Sequence, residues 1–540
     1  MFSPVRDGVS LLQFSAISVD DVVSSVHKLP DKSSASDALP TYMLKQVIDL
    51  LAPFVAELFN RSLAAGHFPG TFKDASITPV LKKQGLDSAD ASSYRPISNL
   101  MVLSKLLERL VAHQLHHYLA TANLLPKVQS GFRPCYSTET AVLSVISDIL
   151  LAVDRGDFAA LILLDLSAAF DTVDHEILLQ RLRTSFGING IALQWFQSYL
   201  TGRTQHVRRG VDRSTTVQLI CGVPQGSVLG PILFILYTAD LVSVIEQHGL
   251  SPHLYADDTQ IYGFCPPSDV DDLVQDISGC VDAVGGWMSS NRLQLNSDKT
   301  EFMWLTTARR QQRLPTDGLT IGSAAITPCK SVRDLGVYID ADLTMRTHVQ
   351  RTVSCCFATL RQLRSIRRSV PSSVFQLLVV ALVLSRLDYC NSLLINLPAC
   401  LIQRLQSVQN AAARLIFNMR RSEHITDALI SLHWLRVPER IVFKVATLTF
   451  RALHGTAPPY MTSQFTRVAD MSNRQRLRSA SSNQLDVPSF RLPTVGSRAF
   501  PIAGAKVWNS LPDDVTSALY LSTFRCHLKT YLFRCCYNTD

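Results

Sequence analysis

Seven consecutive apolar residues, Phe158 to Leu164, lead directly to a carboxylate, Asp165. An uninterrupted apolar run of this length is typical of a strand that is buried on both faces of a sheet. The run therefore predicts a central strand, with Asp165 at the point where the strand leaves the core and its side chain reaches a cleft. The turn that follows leads into a helix predicted to begin near Asp174.

Two more carboxylates occur in the segment Tyr255-Ala256-Asp257-Asp258, which lies between two short apolar runs. This pattern predicts a β-hairpin whose tight turn carries adjacent carboxylates. Crowded carboxylates repel each other unless a cation neutralises them, and Mg²⁺ prefers one or two protein carboxylates together with substrate phosphates. The alternative is a solvated acidic turn without a ligand.

A glycine-punctuated loop, residues 221–227, precedes an apolar helix predicted over residues 228–245. Glycines let a backbone approach a flat ligand closely, and the Gln225 amide both donates and accepts hydrogen bonds.

Asp165 and Asp257, on different strands, would share two Mg²⁺ ions roughly 4 Å apart, which suits in-line attack of a 3′-hydroxyl on an α-phosphate.

The order of these motifs resembles that of reverse transcriptases, and more narrowly that of LINE-type (non-LTR) retrotransposon enzymes of the jockey-like branch. The motifs are Asp165-x-x-x-x-Phe170-Asp171, Pro224-Gln225-Gly226 and Tyr255-x-Asp257-Asp258. Segments 72–83, 93–98, 129–133, 286–300, 335–337, 496–500 and 508–512 are similar to flanking family motifs. The segment 32–40 resembles the opening motif, although Ser36 and Ala38 stand where glycine and an apolar residue or proline are expected.

The resemblance implies an α+β right-hand polymerase. Fingers and palm, with an antiparallel palm sheet, are expected over residues 71–341, and a helical thumb over residues 342–460. Residues 1–70 are expected to form a helical extension, with helices after Ser18, over residues 41–51 and over residues 53–65. Residues 461–485 are rich in Ser, Arg, Asn and Gln and are expected to link to a C-terminal tail of unknown role, within 461–540.

The resemblance also implies a metal site. Asp165, Asp257 and Asp258 are the expected ligands of Mg²⁺, with Mn²⁺ as an alternative ion, and Asp258 is expected to be the weaker or indirect ligand. Lys299 is expected to protonate the departing pyrophosphate; the alternative is a surface lysine.

Five residues are expected to bind the incoming nucleotide. Phe170 corresponds to an aromatic residue that stacks under the sugar and excludes a 2′-hydroxyl, and the alternative is a core phenylalanine. Gln225 and Gly226 belong to the glycine-punctuated loop. Lys73 and Arg95 are expected to contact the triphosphate from the fingers, and Arg95 is favoured because a guanidinium binds phosphate in a bidentate manner.

The positive charge of the chain is concentrated in one segment. Residues 342–460 hold fifteen Lys and Arg against five Asp and Glu, a balance of +10, whereas the whole chain is +8. Arg361, Arg364 and Arg368 are predicted to share one helical face. A basic stripe beside a polymerase core indicates a track for nucleic-acid phosphates, and the alternative is a solvated face.

The expected function is that of an RNA-directed DNA polymerase, a nucleotidyltransferase with an RNA template, a DNA primer and deoxynucleoside triphosphates as partners. The alternative is an inactive or domesticated remnant that binds nucleic acid; a group II intron-type enzyme is disfavoured because residues 508–512 resemble the LINE type. The chain begins where the family has a linker after an endonuclease domain. Two alternatives stay open: this copy of the element is truncated at its 5′ end, or another gene product nicks the DNA.

Composition excludes several classes of protein. With 540 residues the chain is too long for one hydrophobic core. No apolar run reaches the length of a membrane span and no signal peptide is evident, so we expect an intracellular protein, made in the cytoplasm and acting in the nucleus. The twelve cysteines show no Cys-x-x-Cys spacing, which predicts reduced thiols and no zinc site.

Overall fold

The computed structural model describes residues 4–6, 8–31, 37, 39–83, 85–167, 169–210, 212–315, 318–321, 324–471 and 483–537. Most of the segment that resembles the opening motif, residues 32–36 and Ala38, lies outside the described residues. The described residues combine helices with five sheets, so the predicted α+β class is confirmed. Among the described helices, none is both long enough and apolar enough to cross a membrane.

The described helices are α1 (Val19–His27), α2 (Thr41–Ala64), α3 (Val102–Thr121), α4 (Thr138–Arg155), α5 (His175–Thr184), α6 (Gly190–Leu200), α7 (Gly230–Tyr237), α8 (Leu241–Glu246), α9 (Val270–Ser290), α10 (Arg346–Ile366), α11 (Ser372–Val379), α12 (Ser385–Asp388), α13 (Ala399–Phe417), α14 (Thr426–Ser431), α15 (Val437–Leu453), α16 (Pro459–Thr462), α17 (Phe500–Asn509), α18 (Asp513–Thr516) and α19 (Leu521–Tyr537). The described strands are β1 (Asp74–Leu81), β2 (Tyr94–Asn99), β3 (Phe158–Leu164), β4 (Leu166–Ser167), β5 (Arg203–Arg209), β6 (Asp212–Arg213), β7 (Val217–Leu219), β8 (Ser251–Tyr255), β9 (Asp258–Cys265), β10 (Gln294–Leu295), β11 (Glu301–Leu305), β12 (Leu319–Ile321), β13 (Ala324–Ile326), β14 (Ser331–Asp334) and β15 (Val337–Asp340).

The described part of residues 1–70 holds two helices, α1 and α2, where sequence predicted three. Helix α1 begins as expected, because the Ser18 hydroxyl accepts the backbone N–H of Asp21 at 3.1 Å and caps the helix. The predicted break at Pro53 is wrong, since α2 continues through it for 24 residues. Pro53 is exposed, so water can solvate the carbonyl group that loses its hydrogen-bond donor.

A four-stranded antiparallel sheet forms the centre of the molecule, in the order β11-β3-β9-β8. Side chains of β3 alternate between two hydrophobic cores: Phe158, Ala160 and Ile162 pack into one, and Ala159 and Leu161 into the other. This confirms the prediction of a central strand that is buried on both faces. Helices α3, α5, α7 and α9 cover one face, and α4 covers the other.

A second sheet lies beside the central one, in the order β2-β1-β5-β6, and β7 pairs with β5. Strands β1 and β2 are antiparallel, whereas β1 and β5 are parallel. Between β7 and β8 the chain forms two helices, α7 and α8, whereas sequence predicted a single helix over residues 228–245. The two helices are separated at residues 238–240, where the Asp240 carboxylate turns inward and lies 3.3 Å from the buried Arg181 guanidinium.

The C-terminal half is helical from α10 to α15, as predicted for residues 342–460. On α13, Leu405, Val408 and Ala412 lie at spacings of three and four residues and are buried, so this helix has one apolar face. The predicted linker is wrong for residues 461–471: Met461 is buried, and Arg467 pairs with Leu485 in an isolated β-bridge. Residues 472–482 of the predicted linker lie outside the described part of the chain.

The C-terminal tail packs on the back of the central sheet. The buried Asp154 carboxylate at the end of α4 accepts the backbone N–H groups of Arg491 and Leu492, at 2.9 and 2.6 Å. The Ser147 hydroxyl accepts the N–H of Phe500 at 3.0 Å. Residues of the tail therefore complete the hydrophobic core that α4 shares with the central sheet.

Candidate active site

Strand pairing places two carboxylates side by side at one end of the central sheet. Leu164 of β3 is paired with Thr259 of β9, so the next step of the antiparallel register sets Asp165 opposite Asp258. Side chains at directly opposite positions of an antiparallel pair lie on the same face of the sheet. Both carboxylates line a cavity of about 440 Å³.

The third carboxylate, Asp257, lies in the turn of the predicted hairpin. The hairpin is confirmed, but its turn carries only one of the two predicted carboxylates, because Asp258 is the first residue of β9. Tyr255 pairs with Asp258, so Ala256 and Asp257 form a two-residue turn. Ala256 has a φ of +58°, a left-handed conformation that costs roughly 1–2 kcal/mol in a residue with a side chain. Surrounding contacts must therefore impose the turn.

Those contacts come from the segment 129–131, which sequence singled out without assigning it a role. The Gln129 side-chain oxygen accepts the N–H of Ala256 at 3.0 Å and the N–H of Gly131 at 2.8 Å. Gly131 packs directly on the turn, because a Cβ atom there would lie 2.4 Å from the backbone nitrogen of Ala256. Gln129 and Gly131 thus hold the turn that carries Asp257.

Burial and mutual repulsion both raise the pKa values of Asp257 and Asp258. Burial, followed by the charges of Asp257 and Asp165, raises the pKa of Asp258 to about 6. Burial and the charge of Asp165 also raise the pKa of Asp257, while Arg95 and Lys299 oppose the rise. The site therefore has an excess of negative charge that a divalent cation would neutralise.

Lys299 lies beside Asp165. Its ammonium group is 2.9 Å from the Asp165 carboxylate, which also accepts a hydrogen bond from the Asn296 amide at 3.2 Å. The backbone N–H of Asn296 donates to the Asp165 carbonyl oxygen at 2.9 Å. These contacts orient Asp165; the expected role of Lys299 in protonating pyrophosphate stays a prediction.

The donor set fits a hard divalent cation. Asp165 and Asp258 line the cavity, and Asp257 stands at the adjoining turn, so the available ligands are carboxylate oxygens of the kind that Mg²⁺ prefers. Within the described residues, no three His, Cys, Asp or Glu side chains are gathered into a complete metal-ligand cluster. A site of this kind takes its remaining ligands from substrate phosphates and water.

Asp334 and Lys83 also line the cavity, although neither was among the predicted site residues. The Asp334 carboxyl is buried, accepts a hydrogen bond from the Gln260 amide at 2.7 Å, and has its pKa raised to about 7 by burial and by the charge of Asp258. Lys83 lies at the rim of the same cavity. The sequence signal for Lys83 was its place in the motif 72–83, and the signal for Asp334 was its place directly before Leu335.

The predicted nucleotide-binding loop meets the second sheet. The backbone N–H of Ser98, on β2, donates to the Gln225 carbonyl oxygen at 2.7 Å, and the Gln225 amide donates to the Asp171 carboxylate at 2.8 Å. Gly226 has a φ of +119°, and a Cβ atom there would lie 2.6 Å from the Ser98 carbonyl oxygen. Only glycine satisfies both requirements. Asp171 and Gln225 line a second cavity of about 420 Å³ between the loop and the sheet.

The remaining predicted nucleotide contacts differ in their placement. Phe170 is half-buried, and its ring lies 4.7 Å from that of Phe234, so it packs against the core while part of it stays accessible. Arg95 is exposed on β2 and its charge acts on Asp257. Lys73 is half-buried, and burial together with the charge of Arg203 lowers its pKa; it does not line the carboxylate cavity.

The basic stripe is only partly helical. Arg361 and Arg364 are exposed on α10, whereas Arg368 lies beyond the end of that helix, so the predicted common helical face is wrong for Arg368. The helix ends at Ile366, and Arg367 turns back to donate to the Ile416 carbonyl oxygen at 3.0 Å. Among the described residues, none of the three predicted arginines has a carboxylate partner within 4.0 Å.

The family model for "Reverse transcriptase (RNA-dependent DNA polymerase)" matches residues 80–339, a range that contains Asp165, Asp257 and Asp258. Residues 80–339 are a reverse transcriptase domain. The glycine-punctuated loop, the hairpin and Asp334 all belong to this domain.

Curated relatives narrow the comparison. The chain is 29% identical over 344 residues to the "RNA-directed DNA polymerase from mobile element jockey" of Drosophila melanogaster. The aligned residues are 63% of this chain and 37% of that relative. The chain is 30% identical over 339 residues to the jockey protein of Drosophila funebris, covering 62% and 36%. It is 29% identical over 362 residues to the "Probable RNA-directed DNA polymerase from transposon BS" of Drosophila melanogaster, covering 65% and 39%.

These relatives confirm the resemblance to jockey-like LINE-type reverse transcriptases that the sequence motifs indicated. The chain spans well under half the length of each of the three relatives.

Proposed function

We propose that the chain is an RNA-directed DNA polymerase of a non-LTR retrotransposon, which extends a DNA 3′-end on an RNA template. One observation carries this proposal: a reverse transcriptase domain retains three acidic residues at the end of paired strands β3 and β9, where Asp165 and Asp258 adjoin the turn that carries Asp257. A fold kept only for binding would have no need for these crowded carboxylates, among which burial and then the charges of Asp257 and Asp165 raise the pKa of Asp258 to about 6.

The proposed architecture is that of a right hand. The sheet of β1, β2, β5, β6 and β7 would be the fingers, and the central sheet of β3, β8, β9 and β11 the palm, together within residues 71–341. The helices of residues 342–460 would be the thumb. Residues 1–70 would be a helical extension, which packs into the same core as the central sheet.

Asp165, Asp257 and Asp258 would hold two Mg²⁺ ions, with Mn²⁺ as a substitute. When bound, these ions activate the attacking hydroxyl group and stabilise the charge that develops at the α-phosphate. Lys299 keeps the Asp165 carboxylate in place through the ion pair described above. The Gln129 amide holds the turn, so that Asp257 keeps its position during turnover.

The fingers would receive the deoxynucleoside triphosphate. Arg95, exposed and close enough to act on Asp257, is placed to bind phosphate, with Lys73 and Lys83 as further cations of this sheet. Phe170 would lie under the sugar. Gln225 and Gly226 would contact the nucleotide from the loop.

The basic helices would bind the primer and template. Arg361 and Arg364 expose guanidinium groups without carboxylate partners in the described structure, which leaves them available to phosphates.

We propose that the protein acts in the nucleus, after its synthesis in the cytoplasm.

The test is Mg²⁺-dependent extension of a DNA primer on an RNA template. Asp257→Asn keeps the shape of the side chain and removes its charge, so extension should fall by orders of magnitude. Asp276→Asn, which removes an exposed carboxylate on α9, is the control and should leave extension at the parental level. A parental protein that binds primer–template but does not extend it would favour the remnant; an Asp257→Asn variant with parental rates would refute the metal site.

A further inference from the structure

A fully buried carboxylate lies directly beneath the glycine-punctuated loop. Glu108 of α3 has no accessible surface. One of its oxygens, Oε2, accepts the backbone N–H groups of Val228 and Leu229, at 2.7 and 3.1 Å, and the hydroxyl of Tyr199 at 3.2 Å. The other oxygen, Oε1, accepts the Ser104 hydroxyl at 3.2 Å.

These contacts compensate for burying a carboxylate. A buried acid without donors would be strongly destabilising, and burial does raise the pKa of Glu108, but four donors converge on it and the buried Arg203 lies near enough to oppose the rise. The two N–H groups also lead into the first turn of α7, where backbone donors favour an anion. An ordinary core position would hold an apolar side chain here, so the carboxylate has a more specific task.

Those two N–H groups belong to the residues that directly follow the loop. Within the loop, the Ser227 hydroxyl donates to the Pro224 carbonyl oxygen at 2.8 Å and accepts the N–H of Gly230 at 3.0 Å. On the opposite side, Ser98 of β2 holds the Gln225 carbonyl oxygen, and Gly226 lies against the Ser98 backbone. The segment 224–229 is therefore fixed from two sides, by β2 above and by Glu108 below.

We propose that Glu108 is a positioning residue that fixes the position of Gln225 and Gly226 relative to β2. It thereby sets the affinity of the site for the incoming nucleotide. This inference rests on the proposed polymerase function. Glu108 itself does not touch the substrate, since α3 lies behind the loop. Its effect should fall on nucleotide binding and leave the carboxylates of the metal site unaffected.

The substitution Glu108→Gln tests the inference. A glutamine keeps one oxygen for the three donors at Oε2, and its NH₂ group can donate to the Ser104 hydroxyl, but it lacks the negative charge that strengthens the hydrogen bonds to Glu108. We expect the KM for deoxynucleoside triphosphate to rise by about tenfold, as for the loss of hydrogen bonds to a charged group, while kcat changes by less than about twofold. The affinity for primer–template should not change.

Two further variants sharpen the test. Ser104→Ala removes the donor to Oε1, which does not face the loop, and should leave the KM at the parental value. Tyr199→Phe removes one donor to Oε2 but keeps the aromatic ring and the negative charge of Glu108. It should raise the KM by a smaller factor than Glu108→Gln does. This variant carries the test if Glu108→Gln does not fold, as judged by circular dichroism.

The outcomes separate the two proposals. If the parental protein extends primers and the KM is unchanged in both Glu108→Gln and Tyr199→Phe, the positioning role is refuted and the polymerase assignment stands. If Ser104→Ala raises the KM as much as Glu108→Gln, Glu108 has only a general structural role. If the parental protein extends no primer, the proposed function fails, and the role of Glu108 fails with it.

Discussion

Asp334 offers a test of the electrostatics of the cavity that does not depend on catalysis. Its carboxyl is buried; the Gln260 amide donates to Oδ1 at 2.7 Å, and Oδ2 has no hydrogen-bond partner in the described structure. Burial, and then the charge of Asp258, raises the pKa of Asp334 from 3.8 to about 7. The folded protein therefore favours the protonated form of Asp334, whereas the unfolded chain releases that proton near pH 4.

The sign and the size of the effect follow from this difference. Between pH 4 and pH 7 the folded state binds more protons than the unfolded state, so the free energy of unfolding falls as the pH rises. A difference of about three pH units, at about 1.36 kcal/mol for each, gives a destabilisation of about 4 kcal/mol at pH 8. At pH 5 the same arithmetic leaves about 2 kcal/mol.

The variant Asp334→Asn removes the titration and keeps an oxygen that can accept from Gln260. We expect the variant to be more stable than the parent at pH 8, and the advantage to shrink by about 2–3 kcal/mol when the pH is lowered to 5. Urea unfolding followed by tryptophan fluorescence, at pH 5, 6, 7 and 8, measures the difference. Asp298→Asn, which removes an exposed carboxylate at the rim of the same cavity, is the control. A parent-to-variant difference that is the same at every pH would refute the reasoning.

Three further outcomes are expected. Phe170→Ala should let ribonucleotides compete better while deoxynucleotide incorporation changes less, and an unchanged preference in a competition assay would return Phe170 to a role in the core. Neutralising Arg361, Arg364 and Arg368 to Gln should reduce the slope of log affinity against log salt by roughly 0.9 for each lost phosphate contact with B-form duplex, whereas the same change at Arg525, Lys529 and Arg534 of α19 should not. Because the pKa of Asp258 is about 6, a proton competes with the metal for this carboxylate at lower pH. The affinity of the protein for Mg²⁺, measured by calorimetry, should therefore fall as the pH drops below 6. Equal affinity at pH 5 and pH 7.5 would exclude Asp258 as a ligand.

Sequence predicted the elements whose signals are local. The continuous apolar run 158–164 predicted a buried strand, and the two apolar runs around Tyr255 to Asp258 predicted a hairpin; strand β3 and the pairing of β8 with β9 confirm both elements. Helix α1 was found through its capping residue, Ser18. The family motifs then indicated that Asp165, Asp257 and Asp258 are the expected metal ligands.

Contacts between distant segments could not be predicted in this way. Glu108 meets the loop 120 residues later, and Asp334 meets Gln260 across 74 residues. Neither partner carries a local signal, because a buried polar residue in a helix or strand looks like any other polar residue. Pro53 misled for the opposite reason: proline is a strong local signal, but its exposed position in α2 makes the missing hydrogen bond tolerable.

The docking of the tail on α4 has a consequence for translation. Val495, Phe500 and Ile502 share a hydrophobic core with α4 and with Ala159 and Leu161 of the central strand. The ribosome makes these tail residues more than 300 positions after the strand that they support. A nascent chain therefore carries all three acidic residues of the proposed metal site long before the back of its central sheet is covered. A stop codon shortly before Val495 would leave that core open to water, and a copy of the gene shortened in this way would lose stability while its active-site sequence remained intact.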